Sequence, residues 1–196
     1  MKFPVLKTDR LLLSELNLAD VPFVYALFSD KQVVRYYDLE AFKDESQASA
    51  LINLFKARFD NLEGIRWAIR LKNTEQCIGT CGVNAWNKPM RSATIGYDLH
   101  PQFWGKGIIT EALSAMVDNI FSGILPDVSI NRIQADTVPG NIASEKVLLK
   151  LGFNEEGLRR QSGYWKNQFH DLKCFGLLKD EFNVGNILLL KSDISP

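Results

Sequence analysis

The run Gln102-Phe103-Trp104-Gly105-Lys106-Gly107 has the makings of an anion site. It follows an alternating, strand-like stretch, Ala93 to Leu99, and opens an amphipathic helical one, Ile108 to Phe121. A loop at the start of a helix gathers several free backbone N–H groups at one point. The helix dipole adds partial positive charge there, so a phosphate is a suitable guest. Glycine at 105 and 107 lets such a ligand come close to the backbone, and the same pair would also serve a tight strand-to-helix turn. Two familiar phosphate loops are excluded. Thr110 stands where the third glycine of a dinucleotide fingerprint would be, and no Gly-Lys-Ser/Thr follows at the spacing of a Walker loop.

The elements that must hold this loop can be read from periodicity. Leu11 to Leu16 is a short apolar strand. Asn17 caps a helix running to about Ser29, with Asp20 beside the positive end of its dipole. Val33 to Phe42 has no clean period and reads as loop or irregular helix. Asp44 and Gln47 resemble a capping box for a helix carrying Ala48, Leu51, Ile52, Leu54, Phe55 and Phe59. Arg66 to Leu71, Gln76 to Trp86 and Ser92 to Leu99 are three consecutive strands. After the loop and its helix come a strand, Ile130 to Thr137, and a helix, Asn141 to Leu151, ending at Gly152. Phe153 to Gln161 and Phe169 to Leu178 close the order as an antiparallel pair. The sequence β-α-α-β-β-β-α-β-α-β-β predicts an α+β fold of mixed layers. Residues 1–182 form one domain on this reading. Residues 183–196, with Ile187-Leu188-Leu189-Leu190, form a short apolar tail that is a candidate docked segment or homodimer interface.

Bulk properties narrow the class. The chain has 196 residues, 46% of them apolar, with 23 basic and 23 acidic residues. Zero net charge removes the usual footprint of a nucleic-acid binder. Cys77, Cys81 and Cys174 are odd in number and unclustered. Cys77 and Cys81, four apart on one strand, are expected on the same face. Free thiols and a reducing compartment follow. Without a signal-like N-terminal segment or an apolar run long enough to span a bilayer, the expected location is the cytoplasm, away from membranes.

Several separated pieces agree on one family. Gln102-x-x-Gly105-x-Gly107 resembles the coenzyme A loop of the GNAT N-acetyltransferases, with Ile95-Gly96-Tyr97-x-Leu99 before it and Glu111-Ala112 after it. Asn141-x-x-Ser144-x-x-x-Leu148-x-Lys150-Leu151-Gly152-Phe153 resembles the second signature of that superfamily. Thr8-Asp9-Arg10-Leu11-Leu12-Leu13 and His170-Asp171-x-x-x-Phe175-x-Leu177-Leu178 resemble the first and last strands of its RimJ/RimL type, which acetylates ribosomal-protein N-termini. The resemblance covers roughly residues 8 to 182 and implies a mostly antiparallel sheet. Two middle strands, here Ala93 to Leu99 and Ile130 to Thr137, splay apart around the pantetheine arm of acetyl-CoA.

The resemblance also implies roles. Backbone N–H groups from Phe103 through Trp104, Gly105, Lys106 and Gly107, with Ile108 and Ile109, would hold the pyrophosphate, and Lys106 would add charge at the rim. Gln102 opens the motif. The Leu99 N–H would donate to the thioester oxygen. Asn141 caps its helix and would hydrogen-bond the pantetheine arm or the next strand. Many relatives carry a tyrosine where this chain has Leu148; the RimJ/RimL type offers a serine at Ser144, as proton donor or hydrogen-bond donor to the thiolate. No metal is implied, and His100 and His170 read as structural.

The acceptor is less defined. Asp98 and Asn84 flank the implied acceptor cleft. Asp98 could serve as base or bind a cation, but the favoured reading is a solvated strand carboxylate. Glu15 and Glu40 are further bases, and a water chain would need none. Ser14-Glu15 and Phe175 depart from the Arg-Pro pair and tyrosine common in the subfamily. Tyr36, Tyr37, Tyr164 and Trp165 could line the pocket or fill partial core. The leading expectation is transfer of acetyl from acetyl-CoA to a protein N-terminal amine. The alternatives are a small-molecule amine (polyamine, amino acid or antibiotic) and a non-catalytic acyl-CoA sensor.

Overall fold

Alternating apolar residues and short turns make a chain of hairpins, interrupted where helical periods take over. In the computed structural model, which describes residues 2–182, the strands are β1 (Leu6–Lys7), β2 (Leu11–Glu15), β3 (Ile65–Leu71), β4 (Cys77–Asn87), β5 (Ser92–Leu99), β6 (Arg132–Thr137), β7 (Asn154–Trp165) and β8 (Gln168–Leu178). The helices are α1 (Val21–Ser29), α2 (Glu45–Asp60), α3 (Ile108–Phe121) and α4 (Ile142–Lys150). The tail 183–196 lies outside the described residues.

All eight strands join one sheet, in the order β1-β2-β3-β4-β5-β6-β8-β7. Every neighbouring pair is antiparallel except β5 and β6. The last strand inserts between β6 and β7, so the long β7–β8 hairpin reaches the sheet through β8. One face of the sheet packs on α3 through Ala112, Leu113, Met116, Val117 and Ile120, with Trp67, Ile69, Cys81, Ile95 and Phe175 beneath. The other face meets α1 and α2 through Val24, Leu27, Phe28, Ala48 and Ile52, over Ala68 and Cys77.

The expected elements are present, with instructive differences. β1 was not expected, because two residues have no period to read. Asn17 and Asp20 form a capping box, but it opens a single 3-10 turn, Leu18–Asp20, before α1 begins. β6 starts at Arg132 rather than Ile130, and β7 runs on to Trp165 rather than stopping at Gln161. Cys77 and Cys81 do not share a face. The register slips between Ile69 and Arg70, so that Ile78 is bulged out. Cys77 then joins the α1/α2 core and Cys81 the α3 core. A bulge adds one residue to one strand and so reverses the alternation beyond it.

The turn between β1 and β2 is tied to the first turn of α3. Thr8 Oγ1 donates to Glu111 Oε1 at 2.5 Å, the Arg10 N–H donates to the same oxygen at 3.0 Å, and Arg10 Nε meets Glu111 Oε2 at 2.6 Å. Arg10 also donates to the Lys106 carbonyl at 3.1 Å, so it holds the glycine loop itself. Burial alone would raise the Glu111 carboxyl. The hydrogen bonds from Thr8 and Arg10 outweigh that and hold it below its ordinary value. A carboxyl depressed by folding stabilises the fold above the ordinary carboxylate range, and the contribution is lost as pH falls through the folded-state value. Glu111→Gln should therefore flatten the acid limb of the stability curve in urea titrations between neutral and acid pH, and lower stability at neutral pH.

Candidate active site

β5 and β6 are held together by only three residue pairs, Ser92↔Arg132, Ala93↔Ile133 and Thr94↔Gln134. Gln134 Nε2 donates to Thr94 Oγ1 at 3.0 Å at the point where the pairing ends. Beyond it, Ile95 to Leu99 and Ala135 to Thr137 continue as strands without pairing to each other. A gap with an open backbone edge on each side results. The His100 N–H donates across to the Ile78 carbonyl on β4 at 2.9 Å. Strand alternation turns the N–H and carbonyl of Leu99 the opposite way, toward the gap. Trp104 Nε1 takes up that carbonyl at 2.7 Å. The Leu99 N–H is left facing the place where a strand would otherwise lie. Thr137 Oγ1, on the β6 side, is buried without a partner.

The loop is built differently from the expectation at its first half. A 3-10 turn at Pro101–Phe103 uses the N–H groups of Phe103 and Trp104, which donate to the carbonyls of His100 and Pro101. The Gln102 N–H bonds the His100 ring at 3.3 Å, so His100 is structural. Phe103 and Trp104 are therefore corrected out of the donor set. The open donors start at Gly105 and run through Lys106 and Gly107 into Ile108, Ile109 and Thr110, whose N–H groups make no backbone hydrogen bond; the first in α3 runs from Glu111 to Gly107. Gly105 and Gly107 both have positive φ, at 72° and 69°. A side chain there would strain the backbone. Lys106 Nζ sits 5.5 Å from the centre of the Phe103 ring, at the rim.

Asn141 caps α4, and its side chain accepts from the Ser144 N–H at 3.4 Å. Ser144 lies in the first turn of α4, across the gap from β5. Its Oγ is 2.5 Å from the Tyr97 Oη. Tyr97 is a residue that the functional reading of the sequence passed over. Strand alternation was the available signal, since it puts Tyr97 on the same face as Ile95 and Leu99, toward α4. Leu148, one turn beyond Ser144, is fully buried core.

Asp98 is not the solvated carboxylate expected. Its side chain is 2% exposed, and its Oδ2 pairs with Arg66, itself 3% exposed. Thr80 and Tyr37 donate to the same oxygen at 3.1 and 3.3 Å. Arg66 is satisfied on every side: Nε donates to Thr80 at 2.9 Å, and one terminal nitrogen donates to Asn84 Oδ1 at 3.2 Å. The Phe55 ring lies 5.4 Å from the guanidinium. Gly82, opposite Arg66 on β4, is required here, because a Cβ would lie 2.9 Å from the Arg66 Cδ and run into the Ile65 carbonyl. Burial pushes the Asp98 carboxyl above its usual value, against the pull of Arg66 and its hydrogen-bond donors. With its oxygen committed to Arg66, Asp98 is a clamp between strands rather than an open base. Asn84 sits on a bulge between Val83 and Ala85, which aims its side chain at Arg66.

The remaining candidates separate. Tyr37 belongs to the Arg66 network, and Tyr36 Oη donates to the Gly140 carbonyl at 3.0 Å, next to Asn141. Trp165 stacks on His170 at 4.1 Å, and Tyr164 packs on Phe169 at the exposed hairpin tip. Lys166 at that tip donates to the Val34 carbonyl at 2.6 Å, so the hairpin meets the Tyr36 turn. Glu15 and Glu40 are exposed and not drawn into the gap. Among the described residues no cluster of His, Cys, Asp and Glu could hold a metal, and no helix is long and apolar enough to cross a membrane.

The family profile described as acetyltransferase (GNAT) domain matches residues 10–154. The chain belongs to the GNAT acetyltransferases. It is 37% identical over 177 residues to the uncharacterised N-acetyltransferase YoaA of Bacillus subtilis (strain 168), covering 90% of this chain and 98% of that one. Its fold is similar to that of the microcin C7 self-immunity acetyltransferase MccE, solved with acetyl-CoA and AMP, at a TM-score of 0.78 and 21% identity, covering 87% and 93% of the two chains. It is also similar to the acetyl transferase from Salmonella typhimurium that modifies the N-terminal serine of ribosomal protein L7/L12, at a TM-score of 0.79 and 20% identity, covering 89% and 99%. This GNAT enzyme is an acetyl-CoA-dependent N-acetyltransferase. Its gap presents two open strand edges, and its glycine loop presents the free N–H groups that open α3.

Two outcomes follow. Gly105→Glu places a negative side chain where the loop N–H groups converge; it should weaken CoA binding about tenfold or more, equivalent to ~1.4 kcal/mol, in calorimetric titration. Arg66→Met leaves Asp98 buried without its counter-charge and should destabilise the fold by roughly 3–5 kcal/mol in urea unfolding.

Proposed function

We propose that this acetyltransferase acetylates the N-terminal α-amine of a protein, a ribosomal protein being the type of acceptor, in the cytoplasm. The state of Asp98 carries the reading. A small polycation is recognised by free carboxylates grouped in an enclosed pocket. Here the carboxylate beside the gap is already neutralised by Arg66. The cavity next to that pair, between Phe55, Arg58, Gly64 and Asn84, measures only ≈ 10 Å³, room for a water rather than for a polyamine. A protein N-terminus brings one amine on an extended backbone and needs an open approach instead. The L7/L12-modifying neighbour lends support, since it has the same fold.

Each residue then has a task. The N–H groups from Gly105 to Thr110 hold the pyrophosphate, with Lys106 at the rim. The open edges of β5 and β6 hydrogen-bond the pantetheine arm, and Asn141 fixes the start of α4 beside it. The Leu99 N–H donates to the thioester oxygen as that carbonyl turns tetrahedral, which favours the developing negative charge. Ser144 donates to the departing sulfur. Asn84 stands at the acceptor side. The proton of the incoming amine leaves through water, because Asp98 is committed to Arg66.

A CoA-release assay with three acceptor classes tests the reading. Peptides with free N-termini should release CoA, and the same peptides with blocked N-termini should not. Release with polyamines or aminoglycosides but not with peptides would overturn it, as would acetyl-CoA binding with no release by any class.

A further inference from the structure

The Tyr97 hydroxyl touches Ser144 twice, at 2.5 Å to Oγ and 3.2 Å to the main-chain carbonyl. The contact joins the unpaired part of β5 to the first turn of α4, so it spans the gap. Two hydrogens are shared by this pair of hydroxyls, and they can be arranged in two ways. In one, Tyr97 donates to the Ser144 carbonyl and Ser144 donates to Tyr97. In the other, Tyr97 donates to Ser144 Oγ, which frees the Ser144 hydrogen to point into the gap. An anion in the gap selects the second arrangement. Hydrogen bonds to a charged acceptor are roughly twice as strong as neutral ones, and chained donors strengthen one another.

We propose that Tyr97 is a positioning residue for the thiolate: by donating to Ser144 Oγ it aims and polarises the serine hydroxyl toward the sulfur of CoA. The inference rests on reading the gap as the acetyl-CoA site. As the carbon–sulfur bond breaks, its electron pair goes to sulfur, and Ser144 stabilises that charge by a hydrogen bond. No proton leaves Tyr97. The proton that neutralises the sulfur is the one shed by the amine nitrogen, carried by water. The phenol thus enters from the strand, while the helix position one turn beyond Ser144 is the buried Leu148.

The surroundings suit a permanent donor. Burial raises the Tyr97 hydroxyl well above the ordinary phenol range, against the Ser144 hydrogen bond and with the Asp98 charge adding to it. Tyr97 therefore stays protonated wherever a thiolate forms. Of the acids on β5 and α4, Asp98 pairs with Arg66, and Glu145 pairs through one oxygen with Lys173 at 3.0 Å while its other oxygen is buried without a partner; Lys146 on α4 is exposed and Lys150 is half-buried.

The ionisation of bound CoA tests this without any acceptor. In titrations of the full chain saturated with CoA, the ultraviolet absorbance of the thiolate reports the pKa of the bound thiol. Tyr97→Phe keeps the ring and removes one oxygen. Tyr97→Phe and Ser144→Ala should each raise the thiol pKa by about one unit, roughly a tenfold loss of thiolate, and the double variant should rise little further than Ser144→Ala alone. At low pH, where the thiol is neutral, CoA affinity should stay within about twofold of wild type in both. A wild-type thiol pKa in Tyr97→Phe, or fully additive shifts in the double variant, would overturn the inference. Failure of the wild-type chain to bind CoA would instead overturn the reading of the gap.

Discussion

Parallel pairing between β5 and β6 stops at Thr94 and Gln134, and the arrangement of the site follows from that stop. A strand edge inside a sheet is normally satisfied by its neighbour, and leaving one open costs hydrogen bonds. The molecule tolerates two open edges because each strand is secured on its other side, β5 by β4 and β6 by β8. The helices that follow β5 and β6 then start at the mouth of the same gap. α3 brings an uncapped first turn, behind Gly107, and α4 brings one capped by Asn141. The gap is thus a property of topology, and the Tyr97–Ser144 contact spans it.

The opposite face carries a different kind of order. Arg66 joins β3, β4, β5 and the turn at Tyr37 in a single buried polar network, with α2 contributing the Phe55 ring. Such a network needs every member, since a lone buried charge is expensive. Its glycine neighbour Gly82 is the negative image of the guanidinium. This face is therefore held tightly where it touches the sheet, and the β7–β8 hairpin meets the Tyr36 turn through Lys166.

Much of this was legible in the sequence. The glycine loop, the Asn141 cap and the strand before them are local patterns, and local patterns report local backbone. The Phe103–Trp104 half of the loop is less legible, because Pro101 starts a 3-10 turn that uses those N–H groups. The surroundings of Asp98 are hidden for a longer-range reason. Strand alternation says which face a carboxylate takes, but its partner Arg66 lies 32 residues earlier in the chain. Cys77 shows the same limit, because one bulge reverses the face of everything beyond it. Tyr97 was hidden in plain view: its neighbours marked the motif, and its partner Ser144 is 47 residues away.

The place of β8 in the sheet separates two meanings of a domain. The family profile ends at residue 154, just as β7 begins. β6 owes its entire second edge, from Arg132 to Thr137, to β8. A chain cut where the profile match ends would leave β6 attached by three residue pairs, with Phe175 and Leu177 missing from the core. The match to YoaA, over 177 residues, runs past that point, so the family likeness and the sheet both extend into the last hairpin. The final hairpin completes the sheet even though the profile match stops where it begins.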